Sequence, residues 1–241
     1  MRPIEALRTP ESLNKSDKDS AITIGVFDGL HLGHMQLIRT LKDVSKDIQT
    51  IVITFSKHPL SVLDCSFAPK YLCSVEDRLS MLNETGVDAV IPLDFDEEIA
   101  ALEAEAFVQL LCKNLNLKIL VVGPGFALGH KREGTVPILK ILGEKYGFSV
   151  KNVNPLTEHS SLITSTSIRE ALKDGDVQIA ADLLGRNFTL KGKVVKGEGL
   201  GHTLGFPTAN LLSDNNIVIP NDGIYATWSH FNDGTSVKKM K

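Results

Sequence analysis

Two histidines three residues apart, His31 and His34, stand inside the segment GVFDGLHLGH, residues 25 to 34. The β-branched run Ile22–Val26 predicts a strand and His34–Leu41 predicts a helix, so the segment is a strand-to-helix junction. Such a junction points free backbone N–H groups and the positive end of the helix dipole at an anion above the carboxyl edge of a sheet. The spacing puts both imidazoles on one side of the helix start, where either can donate to phosphate oxygens. Nucleotidyl transfer suits this pair. Its nucleophile is a phosphate already ionised near neutral pH, so the protein must supply in-line positioning and charge stabilisation rather than a strong base. A histidine that only caps or packs is the plain alternative, weakened by Gly25, Gly29 and Gly33 around the pair. Asp28 can orient the turn or bind a ribose.

Four other segments carry groups of the same kind. In TFSKHP, residues 54–59, Pro59 stiffens a loop while Phe55 and His58 offer an aromatic face and a polar tip to a ring system. In VVGPGFALGHKREG, residues 121–134, Lys131 and Arg132 are either phosphate contacts or solvated surface. STSIR, residues 165–169, enters a helix. The hydroxyls of Ser165 and Thr166, the free amides and the forked Arg169 guanidinium make a clamp for β- and γ-phosphates, or else an ordinary N-cap with a surface arginine. GEGLGHTLGFPTAN, residues 197–210, is glycine-rich and ends in the hydroxyl and amide of Thr208 and Asn210.

These segments sit on a regular frame. Strands are expected at Ile22–Val26, Thr50–Phe55, Ala89–Pro92, Ile119–Gly123 and Ser149–Val153. Helices are expected at His34–Leu41, Val75–Glu84, Ala101–Cys112 and Val136–Tyr146, so the pattern is a doubly wound α/β sheet. Helices Ser167–Leu172 and Val177–Leu184 follow, the second ending at Gly185, which suits a left-handed stop. Alternation, clustered glycines and the run Gly223–Ser229 then indicate β structure, so we divide the chain into residues 1–184 and 185–241.

The chain has 241 residues, 42% hydrophobic and 23% charged, with a formal charge of -3 and a pI near 6.2. That is a globular composition without the basic field that nucleic acid or an anionic membrane would require. No run approaches the ~18 apolar residues of a spanning helix, and residues 1–20 lack a secretory apolar core. A cytoplasmic setting is expected. Cys65, Cys73 and Cys112 are widely spaced and outside any CxxC or Cys/His pair, so they read as free thiols.

GVFDGLHLGH resembles the fingerprint of the HxGH nucleotidyltransferases and, within them, of the prokaryotic FAD synthetases. The resemblance runs in order from about Ala21 to Tyr225. It implies a Rossmann-like domain that joins AMP from ATP to FMN, with Mg²⁺ as cofactor. The implied catalytic residues are His31, His34 and Arg169. ATP would be held by Gly25, Phe27, Asp28, Gly33, Gly123, Arg132, Ser165 and Thr166, and the flavin by Phe55, His58, Pro59 and Phe126. Gly125 stands where the family usually has Asp or Asn, and Leu128 replaces an aromatic residue. The first removes a hydrogen-bonding group near the nucleotide and the second a stacking surface.

Residues 197–210 resemble the glycine-rich loop and PTAN motif of riboflavin kinases, which implies a partial β-barrel domain with riboflavin as a further substrate. There Thr208 and Asn210 would help hold Mg²⁺, and His202 stands where that family commonly has Arg. Nothing downstream of Asn210 matches that family's later strands or glutamate base, so the kinase half is expected to be a fragment or vestigial. Two other functions stay open: an HxGH adenylyltransferase with a different phosphate acceptor, and a flavin- or nucleotide-binding protein that does not turn over. The sequence leaves oligomeric state open.

Overall fold

The computed structural model of the chain describes residues 18–57, 69–158, 161–203, 205–206, 208–232 and 237–240. His58, Pro59 and Cys65 lie outside the described residues. Five strands, β1 (Ser20–Gly25), β2 (Gln49–Phe55), β3 (Ala89–Leu93), β4 (Leu117–Val122) and β5 (Ser149–Asn152), form one sheet in the order β3-β2-β1-β4-β5. Every neighbouring pair is parallel; Ser20 faces Gln49 across β1 and β2, and Ile119 faces Ser149 across β4 and β5.

The strands are near-continuous apolar runs because both sheet faces are covered. On one face Ala21, Val52 and Val121 pack with Leu37, Ile38 and Leu41 of α1 (Leu32–Val44) and Leu82 of α2 (Val75–Glu84). On the other, Ile22, Ile53 and Leu120 pack with Phe107 and Leu111 of α3 (Ala104–Leu115) and Leu139 of α4 (Val136–Tyr146). This is the doubly wound α/β architecture that the pattern implied. Strand order reverses between β1 and β4, so a crevice opens at the carboxyl ends of those two strands, where ligands bind in such sheets.

One helix differs from expectation. The segment near Ala101 opens as a short helix, Glu97–Ala100, capped by Asp96, and α3 starts at Ala104, three residues after the expected start. Its first amide is held by the Glu133 carboxylate, 2.8 Å away and 29 residues distant in the chain. That contact comes from a small hairpin, Ala127–Leu128 paired with Gly134–Thr135. Gly129 joins the two at φ +81°, and a Cβ there would lie 2.5 Å from the Ala104 nitrogen. Gly129→Ala therefore meets both a disfavoured backbone region and fixed main chain. It should destabilise the fold by on the order of 3 kcal/mol in urea unfolding, and a change below about 1 kcal/mol would contradict the packing described.

Two further helices, α5 (Ser165–Lys173) and α6 (Val177–Leu184), build a third apolar cluster through Ile168, Leu172, Leu183 and Leu184, joined by Leu72 and Val218. Gly185 stops α6 at φ +72°. Beyond it lie two antiparallel pairs, β6 (Gly192–Val195) with β7 (Asn210–Ser213), and β8 (Ser229–Asn232) with β9 (Val237–Met240). The run Gly223–Ser229 was expected to be a strand. Residues 223–228 belong to no strand ladder among the described residues, and the ladder begins at Ser229. The stretch before them is pinned to α5 and to the segment that leads into α2: Val218 N–H donates to the Tyr71 carbonyl at 2.8 Å and Asn221 N–H to that of Leu172 at 2.9 Å.

Candidate active site

The turn after β1 is built from unusual backbone. Phe27 (φ 53°) and Gly29 (φ 73°) both take left-handed conformations, which lets the chain reverse and enter α1 within a few residues. The Phe27 ring is buried beneath the turn, 5.1 Å from the His34 ring, so it supports the histidines from below. His31 is the N-cap of α1: its Nδ1 accepts the His34 N–H at 3.3 Å. Because Nδ1 accepts, the proton of the neutral imidazole resides on Nε2, leaving that N–H as a donor. The rings of His31 and His34 stack at 3.6 Å and 18°.

Both imidazoles are held neutral. Burial, then the charges of Arg186 and Arg169, push the His31 pKa down to about 4. Burial, the His31 ring and Arg78 push that of His34 well below its ordinary value.

Asp28 is 2% exposed, and its carboxylate is occupied by the protein. It accepts the Leu72 N–H at 2.9 and 3.1 Å and forms an ion pair with Arg169 Nη2. Burial pushes its pKa up, while Arg169 and the Leu72 amide pull it back. These contacts are the ones that the turn-ordering reading of Asp28 requires. Arg169 is likewise half committed, with Nε donating to the Lys70 carbonyl at 2.7 Å; its Nη1 makes no bond among the described residues.

The start of α5 meets this turn directly. Thr164 caps α5 and forms a capping box with Ser167, Ser165 Oγ donates to the Asp28 carbonyl at 3.1 Å, and the Ile163 carbonyl would lie 3.3 Å from a Cβ on Gly33. Two helix N-termini thus converge on one side of His31, and Thr166 is exposed in the first turn of the second. First-turn amides at a helix N-terminus that no cap takes up can donate to an anion.

Across the switch point, Gly123 follows β4 into open space, with nothing within 4 Å of where a Cβ would be. Gly125 is exposed at φ +67°, and Arg132 folds back so that Nη2 donates to its carbonyl at 2.9 Å. Lys131 and Arg132 both take positive φ (51° and 61°). Phe55 and Phe126 pack half-buried against the same core face, and Phe55 meets Phe95 edge-on at 5.5 Å. The structure therefore gathers His31, His34, Asp28, Gly33, Ser165 and Arg169 at one turn, with Gly25 at its base. Phe55 ends β2, and Gly123, Phe126 and Arg132 follow the end of β4.

Thr208 and Asn210 lie apart, in the glycine-rich segment. A Cβ on Gly201 would fall 2.8 Å from the Thr208 hydroxyl, and one on Gly197 2.0 Å from the Asn210 amide, so these glycines let the loop close onto both side chains.

Two arginines, Arg186 and Arg78, were not singled out from the sequence, and Cys73 was read there only as a free thiol. Arg186 donates to the carbonyls of Gly29 (2.7 Å), Leu30 (3.3 Å) and Leu184 (3.4 Å), clamping the turn from behind. Cys73, a free thiol pushed up to about 11 by burial, accepts the Gly29 N–H at 3.4 Å, so it is a packed thiol rather than a nucleophile. Arg78 is fully buried. Its position four residues before Leu82, on the inward stripe of α2, was the available signal.

A doubly wound parallel sheet carrying this histidine turn at its switch point defines an α/β nucleotidyltransferase fold. The FAD synthetase family model matches residues 13–167 and the riboflavin kinase family model residues 184–241. A bifunctional riboflavin kinase/FMN adenylyltransferase of Escherichia coli K12 is 37% identical over 92% of this chain and 72% of its own length. One from Buchnera aphidicola of Schizaphis graminum is 35% identical with the same coverage, and one from Bacillus subtilis 168 is 34% identical over 96% of this chain and 74% of its own. A solved structure described as a macrolide-efflux protein from Streptococcus pneumoniae superposes with a TM-score of 0.78 at 28% identity, covering 94% of this chain and 79% of that one. The chain belongs to the FAD synthetase family, with a riboflavin kinase segment after it. Among the described residues no helix is long and apolar enough to cross a membrane.

Proposed function

We propose that the chain transfers AMP from ATP to the phosphate of FMN, giving FAD and pyrophosphate, at the turn that holds His31 and His34. The observation that carries this reading is the convergence of two helix N-termini on a neutral, tautomer-fixed His31 beside a rim of phenylalanines. A phosphate oxygen of FMN attacks the α-phosphorus of ATP, and the bond from that phosphorus to the oxygen bridging to the β-phosphate breaks. The electron pair leaves with pyrophosphate. No proton must be removed from the nucleophile, which matches a site whose histidines are neutral donors and not bases. His31 Nε2–H, the α5 amides, Thr166 and Arg169 Nη1 are the donors that meet the charge growing on the phosphates. Phe55 and Phe126 supply an aromatic wall for the flavin.

Mg²⁺ belongs to this proposal as the ion that ATP brings. It supplies charge neutralisation at the phosphates. Among the described residues no group of three His, Cys, Asp or Glu side chains could cage a metal, and Asp28 is spent on Arg169. The oxygens of the phosphates, with water, are the ligands that fit. In the second segment Thr208 and Asn210 would present two oxygens to the same ion on a second nucleotide, with riboflavin as substrate. We divide the chain near residue 184 on that basis, and place the enzyme in the cytoplasm, where its nucleotide substrates are made.

A second reading, binding without turnover, is favoured by Gly125, which offers no side chain to the nucleotide. One experiment separates the two. The chain is incubated with ATP, Mg²⁺ and either FMN or riboflavin, and FAD and pyrophosphate are measured. FAD with equimolar pyrophosphate from FMN is expected; tight binding of both substrates with neither product would leave only the binding module.

A further inference from the structure

Arg78 has no exposed surface, yet most of its hydrogen-bonding capacity is unused. Nη2 donates to the Phe55 carbonyl at 2.6 Å, while Nε and Nη1 are enclosed and have no partner among the described residues. Three N–H donors of a permanent cation are thus unsatisfied inside the protein. The Asp28 carboxylate feels the charge but is already taken by Arg169 and the Leu72 amide. A buried cation left in this state is costly, and a hydrocarbon side chain on the inward stripe of α2 would serve the fold better. The arginine makes physical sense only with an anion that arrives.

Its location says which anion. Phe55 is the last residue of β2, at the carboxyl edge of the sheet and on the phenylalanine rim. The Arg78 charge also acts on His34, whose Nδ1 is likewise enclosed without a partner among the described residues and whose ring stacks on His31. Unspent polar atoms of two side chains therefore lie between the wall offered to the flavin and the turn offered to ATP. The donors already assigned to the ATP phosphates sit on α5 and at Arg169. We propose that Arg78 binds the phosphate monoester of the acceptor, holding its oxygens between Phe55 and the His31–His34 turn for in-line attack. The half-exposed Tyr71 ring lies 6.0 Å from the guanidinium carbon, over the cation.

This inference rests on the reading that FMN is the acceptor, and its test does not depend on turnover. The affinities of the full chain for FMN and for riboflavin, which lacks the phosphate, are measured by flavin fluorescence with and without ATP, in the wild type and in Arg78→Met. FMN should bind the wild type at least tenfold more tightly than riboflavin, and Arg78→Met should bring the two affinities together while leaving riboflavin and ATP affinity within twofold. Arg78→Met should also melt at or above the wild-type temperature, since an unpaired cation is removed; Arg78→Lys, which restores a charge without the fork, should recover part of the FMN preference. A wild type indifferent to the flavin phosphate, an unchanged preference in both variants, or a loss confined to ATP would overturn the assignment. Absence of FAD synthesis with the FMN preference intact would instead overturn the proposed activity alone.

Discussion

Asp28→Ala will lower the stability of the chain by about 3–5 kcal/mol, the range for removing one partner of a buried ion pair. The carboxylate is 2% exposed and does three jobs. It neutralises Arg169 Nη2, accepts the Leu72 amide at 2.9 Å, and lies 3.9 Å from the Cys73 thiol, itself bonded to the Gly29 amide. Alanine leaves a cation whose side chain is 12% exposed without its counter-ion, and a buried amide without an acceptor. For a chain of this size the melting temperature should fall by roughly 10 °C, read by differential scanning calorimetry and urea titration. Asp28→Asn should cost less, because the amide oxygen still accepts from Leu72 although the charge is gone. If alanine costs below about 1 kcal/mol, or asparagine costs as much as alanine, the ion pair is not what holds the turn to α5.

That role for Asp28 shows where sequence reasoning reached its limit. The segment from Gly25 to His34 was legible because strand, glycines, histidines and helix follow one another in the chain, and each signal is local. The same is true of α2, whose bounds Val75–Glu84 agree with those expected. The start of α3 was misjudged because its first amide is satisfied from Glu133, a partner no local pattern reveals. Gly223–Ser229 failed for a related reason: alternation indicates an extended chain, but a ladder also needs a neighbour. Arginines were hardest. In the sequence Arg78 and Arg186 look like the solvated positions of helices and linkers. In the fold one is sealed inside α2 and the other clamps three carbonyls behind the histidine turn. A cation's partner is set by tertiary approach, so the residue type alone could not separate a surface charge from a structural or binding one. The cysteines were the converse case: Cys73 and Cys112 are the free thiols that their spacing indicated.

His31→Asn should separate what the imidazole does for the fold from what it does for the reaction. Asparagine is a good N-cap and can still accept at the start of α1, so the variant should fold. It cannot place an N–H where Nε2 stands, and losing one such donor to a developing phosphate charge should reduce kcat about 10²–10³-fold. The pH dependence of stability gives an independent readout. Burial, with help from Arg186 and Arg169, sets the folded pKa at about 4, below the unfolded value of 6.5. The unfolded chain therefore binds more protons between those values, so stability rises with pH through the window and is lost as pH falls from about 6.5 to 4. The loss attributable to His31 is on the order of 3 kcal/mol. His31→Asn should remove that part of the acid slope, leaving the share contributed by His34. Urea unfolding at pH 7, 6, 5 and 4 would measure it. Parallel acid slopes in wild type and variant would show that His31 is not held neutral by its surroundings, and the assignment of Nδ1 as a fixed acceptor for the His34 N–H would lose its support.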